Sequence, residues 1–185
     1  MIRSILTLLF FAILIASCSK EQKQDPFQIG KQNIGLLTDS TKVKDIELAF
    51  PNDSIVKSVK GDEFIDDTND IVILDKTGKK LLVLTPSQAL DSTAVIESVQ
   101  IVDPKYKTDK NISVLSTFKD IKDTYKISKI STLINSVVIS VNEINASFSI
   151  DKKELPSNLR FNMDLNIEAV QIPDNAKIKF FMLHW

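Results

Sequence analysis

The chain has 185 residues, of which 43% are hydrophobic and 25% are charged, and this composition is typical of a globular protein and not of a disordered or fibrous one. Its 23 basic and 24 acidic residues give a formal net charge of −1, with both signs spread along the sequence. Proteins that bind nucleic acid usually carry a basic excess, so we expect no nucleic-acid partner. The length is sufficient for one domain or two small ones.

The first 17 residues have the pattern of an export signal. Residues 5–16 form a nearly continuous apolar run, which follows the single cation Arg3 and precedes the small residue Ser17. A positive start, an apolar centre and small residues at the cleavage point are typical of a secretory signal peptide. The run is shorter than the roughly 20 residues that a membrane-spanning helix needs. We therefore predict that residues 1–17 are a signal peptide.

The only cysteine, Cys18, follows this run directly. The segment Ile15-Ala16-Ser17-Cys18 resembles the lipobox of bacterial lipoproteins, and the resemblance implies that Cys18 is acylated with palmitate or a similar chain and becomes the first residue of the mature protein. Each buried methylene contributes about 0.8 kcal/mol, so two or three acyl chains would hold the protein at a membrane. A catalytic thiol is disfavoured, because the only histidine, His184, lies at the other end of the sequence.

Residues 18–33 are predicted to be a flexible tether, since polar residues dominate the segment and Pro26 would interrupt a helix. Ser19 stands where enterobacterial lipoproteins retained at the inner membrane carry Asp, which favours the outer membrane, at its periplasmic face or at the cell surface. The Lys-, Ile- and Asn-rich sequence resembles proteins of Bacteroidota, although residues 19–22 match the acidic surface-export tag of that group poorly. A soluble domain is predicted over residues 34–185.

Two short helices are predicted in similar surroundings. Val43, Ile46 and Phe50 are spaced i, i+3 and i+7, which places them on one face of a helix within residues 41–50. Residues 116–125 have the same apolar spacing and contain the same Lys-Asp-Ile sequence. The first apolar residue of the pattern is at position 118 here and at position 43 in the first segment, a difference of 75 residues. The similarity suggests two repeat units, 34–105 and 106–185, although the identical part is short enough to arise by chance.

After each helix the pattern changes to that of β-strands. The predicted strands cover residues 55–59, 71–74, 81–84 and 95–102 in the first unit and 137–144, 146–150, 159–170 and 178–185 in the second. Residues 159–168 alternate between apolar and polar side chains, which is typical of a strand with one buried face. We therefore predict an α+β fold, with a mainly antiparallel sheet and two short helices.

Three segments of the domain together resemble the RpoE-regulated lipoprotein family. They are Ile34 to Thr41 (IGLLTDST) before the first helix, Ser116-Thr117-Phe118 at the start of the second, and the closing segment from Lys177 to Trp185. The resemblance implies a location in the bacterial cell envelope and a fold. It implies no activity, because that family is a domain of unknown function. This chain lacks the additional cysteines of the family's second half.

The sequence contains no group of residues that is typical of an enzyme. His184 is the single imidazole and lies in an alternating apolar segment, so neither a hydrolytic triad nor a zinc site made of Cys and His is expected. A dense acidic cluster lacks the spacing and the central glycine of a calcium-binding EF-hand loop and is interpreted as a solvated loop. The cluster consists of Asp62, Glu63, Asp66, Asp67 and Asp70. We predict no catalytic residue, no metal site and no cofactor.

The leading functional hypothesis is therefore a non-enzymatic lipoprotein of the cell envelope, held to the membrane through lipid on Cys18 and acting as a binding or assembly module for another envelope protein. Two alternatives remain open. An exported carbohydrate-active hydrolase would need two carboxylates that face each other in a cleft. A carrier of lipid or another ligand would need a sizeable apolar cavity.

Overall fold

The computed structural model describes residues 25–57, 69–160 and 166–185. Its main feature is an eight-stranded antiparallel sheet, accompanied by a small four-stranded sheet. The strands are β1 (Gln28–Ile29), β2 (Asn33–Ile34), β3 (Leu37–Thr38), β4 (Ser54–Lys57), β5 (Ile71–Leu74), β6 (Lys80–Pro86), β7 (Ile96–Ile101), β8 (Lys107–Thr108), β9 (Lys129–Thr132), β10 (Ser136–Val141), β11 (Ala146–Asp151) and β12 (Ile178–His184). The strand order is β4-β5-β6-β7-β12-β11-β10-β9 in the large sheet and β3-β2-β1-β8 in the small one.

The helices in the described ranges are short. They are α1 (Ile46–Ala49), which continues a 3-10 turn at Val43–Asp45, α2 (Phe118–Thr124) and α3 (Ser157–Arg160), with further 3-10 turns at Lys152–Glu154 and Ala169–Gln171. The predicted α+β class with a mainly antiparallel sheet is confirmed.

Both predicted helices form, and each buries the face that its sequence indicated. Val43, Ile46 and Phe50 are buried, as are the three equivalent residues of α2. The α2 helix begins at a capping box, in which Thr117 and Asp120 each bond the backbone N–H of the other. Helix propensity alone would not hold a segment of one or two turns, so burial of the apolar face supplies most of the stability.

The core lies on one face of the large sheet. In β10 and β11 buried side chains alternate with partly exposed ones, as expected for a sheet that is covered on one side. Phe148 of β11 and Phe181 of β12 are fully buried, with ring centroids 4.5 Å apart. Phe118 of α2 and Ile29 of β1 belong to the same buried cluster. The helices and the small sheet therefore pack on the same face of the large sheet.

The large sheet has the same arrangement in its two halves. The strands β4 to β7 run in order from one edge to the centre, the strands β9 to β12 run in order from the other edge, and β7 pairs with β12 in the middle. The third strand of each half has a register shift against the fourth, between Thr85 and Pro86 in one half and between Ser149 and Ile150 in the other.

Equivalent hydrogen bonds also connect the two helical segments to residues just before β7 and β12. The backbone N–H of Val43 donates to the carbonyl oxygen of Ala94 at 2.9 Å, and the backbone N–H of Phe118 donates to the carbonyl oxygen of Ala176 at 2.9 Å. Position 118 again follows position 43 by 75 residues. The units thus share an arrangement of helix and strands, while their origin from one ancestral sequence stays a prediction.

The strand predicted over residues 159–170 is not present at either of its described ends. Residue 159 lies in α3 and residue 170 lies in the 3-10 turn at Ala169–Gln171, while residues 161–165 lie outside the described residues. The alternation of apolar and polar residues did not predict the structure of these two ends, because a strand also needs a neighbouring strand with which to pair. The preceding strand β11 is already paired on both sides, with β10 and with β12.

The folded body begins before residue 34, where the predicted tether was to end. Ile29 of β1 is 1% exposed, and Gln28 pairs with Lys107 of β8. The ring of Phe27 meets the buried ring of Tyr106 edge-on, at 5.5 Å between centroids. Residues 25–33 are therefore part of the fold despite their polar composition, because a few apolar side chains anchor them. Residues 18–24 of the predicted tether lie outside the described residues.

Candidate functional site

The predicted lipidation site, Cys18, and the predicted signal peptide over residues 1–17 lie outside the described residues. Within the described ranges, none of the helices has both the length and the apolar character needed to cross a membrane.

His184 is exposed on β12 and shares a hydrogen bond with Ser147 of β11, at 2.7 Å between Nε2 and Oγ. A hydrolytic triad would also need a carboxylate on the other ring nitrogen, to orient the imidazole. In the described part of the chain no hydrogen bond or ion pair links His184 to a carboxylate. The pair is therefore a cross-strand contact, on neighbouring strands of an antiparallel sheet.

Most of the acidic cluster lies outside the described residues, namely Asp62, Glu63, Asp66 and Asp67. Its last member, Asp70, accepts a hydrogen bond from the hydroxyl of Thr85 at 2.7 Å. No group of three or more His, Cys, Asp or Glu side chains that could hold a metal ion occurs among residues 25–57, 69–160 and 166–185.

A cleft of about 690 Å³ opens at one end of the large sheet, between the turn that joins β9 to β10 and the segment that follows β11. It is called the cationic cleft below, because the described residues that line it include four basic side chains and one carboxylate, which together have a formal charge of +3. The lining residues are Ile134, Asn135, Asp151, Lys152, Lys153, Arg160 and Lys179.

The backbone around Asp151 fixes this end of the cleft. The Oδ1 atom of Asp151 accepts the backbone N–H of Lys153 at 3.0 Å, and the Oδ2 atom binds the ammonium of Lys179 at 3.1 Å. The bond from the Lys153 backbone has the larger effect, and together the two bonds lower the pKa of Asp151 below its ordinary value, so the carboxylate is charged at neutral pH. The backbone N–H of Lys152 donates to the carbonyl oxygen of Asn135 at 3.0 Å, which ties this segment to the opposite wall.

Lys152 is the most unusual residue of the cleft. The residue is 4% exposed, and its ammonium nitrogen is buried without a hydrogen-bond partner in the described structure. A buried charge without a partner costs several kcal/mol, so such groups are usually paired. Arg160 is held nearby by a hydrogen bond from its Nε atom to the carbonyl oxygen of Leu155 at 2.7 Å.

The equivalent end of the first half of the sheet is different. Its cleft measures about 180 Å³. The charged residues in its lining are Lys57 and Asp91, and the others, such as Gln88 and Leu90, are uncharged. Gln88 follows the register shift at Pro86 by two residues, as Lys152 follows the shift at Ile150. Gln88 is exposed, however, whereas Lys152 is buried, so the described part of the first half has no counterpart of this buried ammonium.

Sequence reasoning did not find this cleft. Its cations are spread from position 152 to position 179, and the doublet Lys152-Lys153 reads as an ordinary solvated pair after a strand. The only indication of a cationic site in the sequence is that Arg160 follows this doublet closely along the chain.

No protein-family model matches the chain, and no curated protein matches it by sequence. Among solved structures, the fold is similar to the crystal structure of the uncharacterized protein YfeY from Escherichia coli. The TM-score is 0.56 and the sequence identity is 15%, and the similarity covers 85% of this chain and 99% of YfeY. At this identity the comparison shows a shared fold and nothing about ligands or activity.

Proposed function

We propose that this chain is a lipid-anchored protein of the bacterial cell envelope whose folded body is a non-enzymatic binding module. The export pattern of residues 1–17 and the lipobox-like segment that ends at Cys18 support the anchor. The outer membrane is proposed as its location and another envelope protein as a partner. Membership in the RpoE-regulated lipoprotein family belongs to the same proposal and rests on the three sequence segments that resemble that family.

The single observation that carries the binding role is the cationic cleft. A glycoside hydrolase needs two carboxylates that flank the scissile bond. Among the described residues, the lining of the cleft contributes only the carboxylate of Asp151, which is engaged by Lys179. The four cations, which include the unpartnered ammonium of Lys152, favour binding of a negatively charged group over acid–base chemistry.

The carrier alternative is less well supported. The more apolar cleft beside Leu90 measures about 180 Å³, whereas ligand pockets usually measure about 300–1,000 Å³. An acyl chain would therefore need considerable opening of this part of the fold.

The anchor would place the folded body close to the bilayer. Seven residue steps separate Cys18 from Asp25, which span at most about 25 Å when fully extended. The first strand, β1, lies beside the turn that joins β10 to β11, since Gln28 and Glu143 line one shallow cleft. The cationic cleft lies at the opposite end of β10 and β11. It would thus face away from the attachment point.

The anchor is tested by labelling cells with radioactive palmitate. We expect label in the wild-type protein and in Ser19→Ala, and no label in Cys18→Ala, because only the last variant lacks the thiol that is acylated. The labelled forms should sediment with membranes, and protease treatment of whole cells would then distinguish the cell surface from the periplasmic face. A mature protein that begins at another residue and carries no fatty acid would contradict the proposal.

A further inference from the structure

We infer that the cationic cleft binds the phosphate group of a small water-soluble ligand. The inference rests on the proposal that the folded body is a binding module, and only its choice of a water-soluble ligand over a lipid headgroup also uses the proposed anchor at Cys18. Its starting point is an open cleft that is lined in part by Lys152, a residue whose ammonium is buried and has no partner among the described residues.

The ammonium of Lys152 identifies the sign of the ligand. In contrast to Lys152, Asp151 and Lys179 pair with each other, and the side chain of Lys153 is exposed to water. Lys152 has none among the described residues, although it is 4% exposed. A side-chain rotation that brings this ammonium to an anion in the cleft would supply the missing acceptor and remove the cost of a buried unpaired charge.

The number of cations favours phosphate over carboxylate. A phosphate monoester carries a charge of about −1.5 to −2 at neutral pH, whereas a carboxylate carries −1. The cleft has a formal charge of +3, so a phosphate leaves less positive charge uncompensated. Arg160 adds a guanidinium, whose planar set of donors matches phosphate oxygens better than a lysine ammonium does.

The size of the cleft indicates that the phosphate is part of a larger molecule. The volume of about 690 Å³ is within the usual range for small-molecule sites and exceeds the need of inorganic phosphate alone. Ile134 also lines the cleft and is 69% exposed, so it offers apolar contact to the organic part of the ligand.

The position of the cleft favours a ligand in solution over a phospholipid headgroup. The described N-terminal residues lie by the turn between β10 and β11, and the cationic cleft lies beyond the other end of these strands. A body anchored through Cys18 would therefore present the cleft to the aqueous compartment.

The test uses the purified full-length chain in a non-ionic detergent at constant ionic strength, because salt screens such charges. Inorganic phosphate and glycerol phosphate are titrated by calorimetry, and phosphatidic acid in mixed micelles is titrated separately. We expect both soluble phosphates to bind and to raise the melting temperature. Lys152→Gln, which removes the charge and keeps a polar side chain of similar length, should weaken binding by about ten- to a hundredfold.

Lys76→Gln is the matched control, because it removes the same charge at the exposed turn between β5 and β6 and should leave the affinity unchanged. Lys153→Gln is the second cleft variant, chosen because the exposed side chain can be changed without disturbing the core; it should weaken binding by about two- to fivefold.

Loss of affinity in both cleft variants with an unchanged control supports the inference. Absence of binding by any phosphate compound would overturn it, as would equal affinity of Lys152→Gln and the wild type. Binding of phosphatidic acid micelles without binding of the soluble phosphates would overturn the choice of a water-soluble ligand. None of these results depends on palmitate labelling, so failure here is distinguishable from failure of the anchor.

Discussion

Asp103 and Lys152 are the charged residues that are buried in the described part of the chain, and of the two only Asp103 is paired with another group there. Asp103 binds the ammonium of Lys79 at 2.6 Å and accepts the backbone N–H of Lys105 at 2.8 Å. Lys152 has no such partners. A carboxylate that is paired within the protein contributes to the fold, whereas the ammonium of Lys152 would gain its missing partner only from a bound anion.

The contribution of Asp103 should depend on pH. Burial alone raises the pKa of Asp103, but the bonds from Lys79 and from the backbone of Lys105 outweigh burial and bring the pKa below its ordinary value of 3.8. A carboxyl whose pKa is lowered by folding stabilises the folded state above the unfolded pKa, and the effect is lost as the pH falls through the folded pKa. The window for this loss therefore lies below about pH 4.

We predict that Asp103→Asn lowers the free energy of unfolding at pH 7 by about 1–2 kcal/mol. The difference between variant and wild type should narrow as the pH falls below 4, because the wild-type carboxyl is then protonated as well. Urea unfolding at a series of pH values measures this. A difference of the same size at pH 7 and at pH 2.5 would mean that the charge of Asp103 is not its source.

At the scale of single elements, the capping box should stabilise the first turn of α2. The hydroxyl of Thr117 accepts from the backbone N–H of Asp120 at 3.4 Å, and the carboxylate of Asp120 accepts from the backbone N–H of Thr117 at 2.7 Å. Thr117→Ala should therefore lower the free energy of unfolding by about 1 kcal/mol, whereas Thr117→Ser, which keeps the hydroxyl, should cost much less. Equal losses in the two variants, measured by urea unfolding, would exclude the hydroxyl as the cause.

The elements that could be predicted from the sequence are those with enough residues to show a period. The strand at Ile71–Leu74 and both helices lie where the apolar pattern placed them. The strands β1, β2, β3 and β8 have two residues each, which is too few for any period, and they exist because of their pairing partners. Tertiary pairing also decides against a strand at residues 159–160, which form part of α3.

The cationic cleft could not be predicted for a related reason. Lys152 is placed by the hydrogen bond from its backbone N–H to Asn135 in another turn, and this contact arises only when β10 and β11 pair. Neither the spacing of the cations nor the residues beside them shows which lysine loses contact with water.

At the scale of the whole molecule, the two halves should unfold together. The β7 and β12 strands join the halves within one sheet, and the backbone N–H of Trp185 donates to the carbonyl oxygen of Glu97 at 2.8 Å across the junction. Since Trp185 is the only tryptophan, its fluorescence reports on the junction, while circular dichroism reports on both halves. Coincident transitions by these two methods are expected of a two-state unfolding reaction.

We therefore predict that a core substitution in either half shifts one common transition. Leu82→Ala on β6 should cost about 2–5 kcal/mol and Phe148→Ala on β11 about 3–5 kcal/mol, because both side chains are fully buried. Leu36→Ala, at an exposed leucine, is a suitable control with little expected effect. A fluorescence transition that separates from the circular-dichroism transition in one variant only would show that the halves unfold independently.

The central position of β12 also bears on how a nascent chain reaches this fold. A ribosome completes β7 at Ile101, but the neighbour of β7 in the sheet is not made until residues 178–184 have been synthesised. Until then β7 presents an open row of N–H and C=O groups, to which a strand of another molecule could add. Chaperones that hold the chain unfolded until synthesis passes residue 184 should therefore raise the yield of monomeric protein.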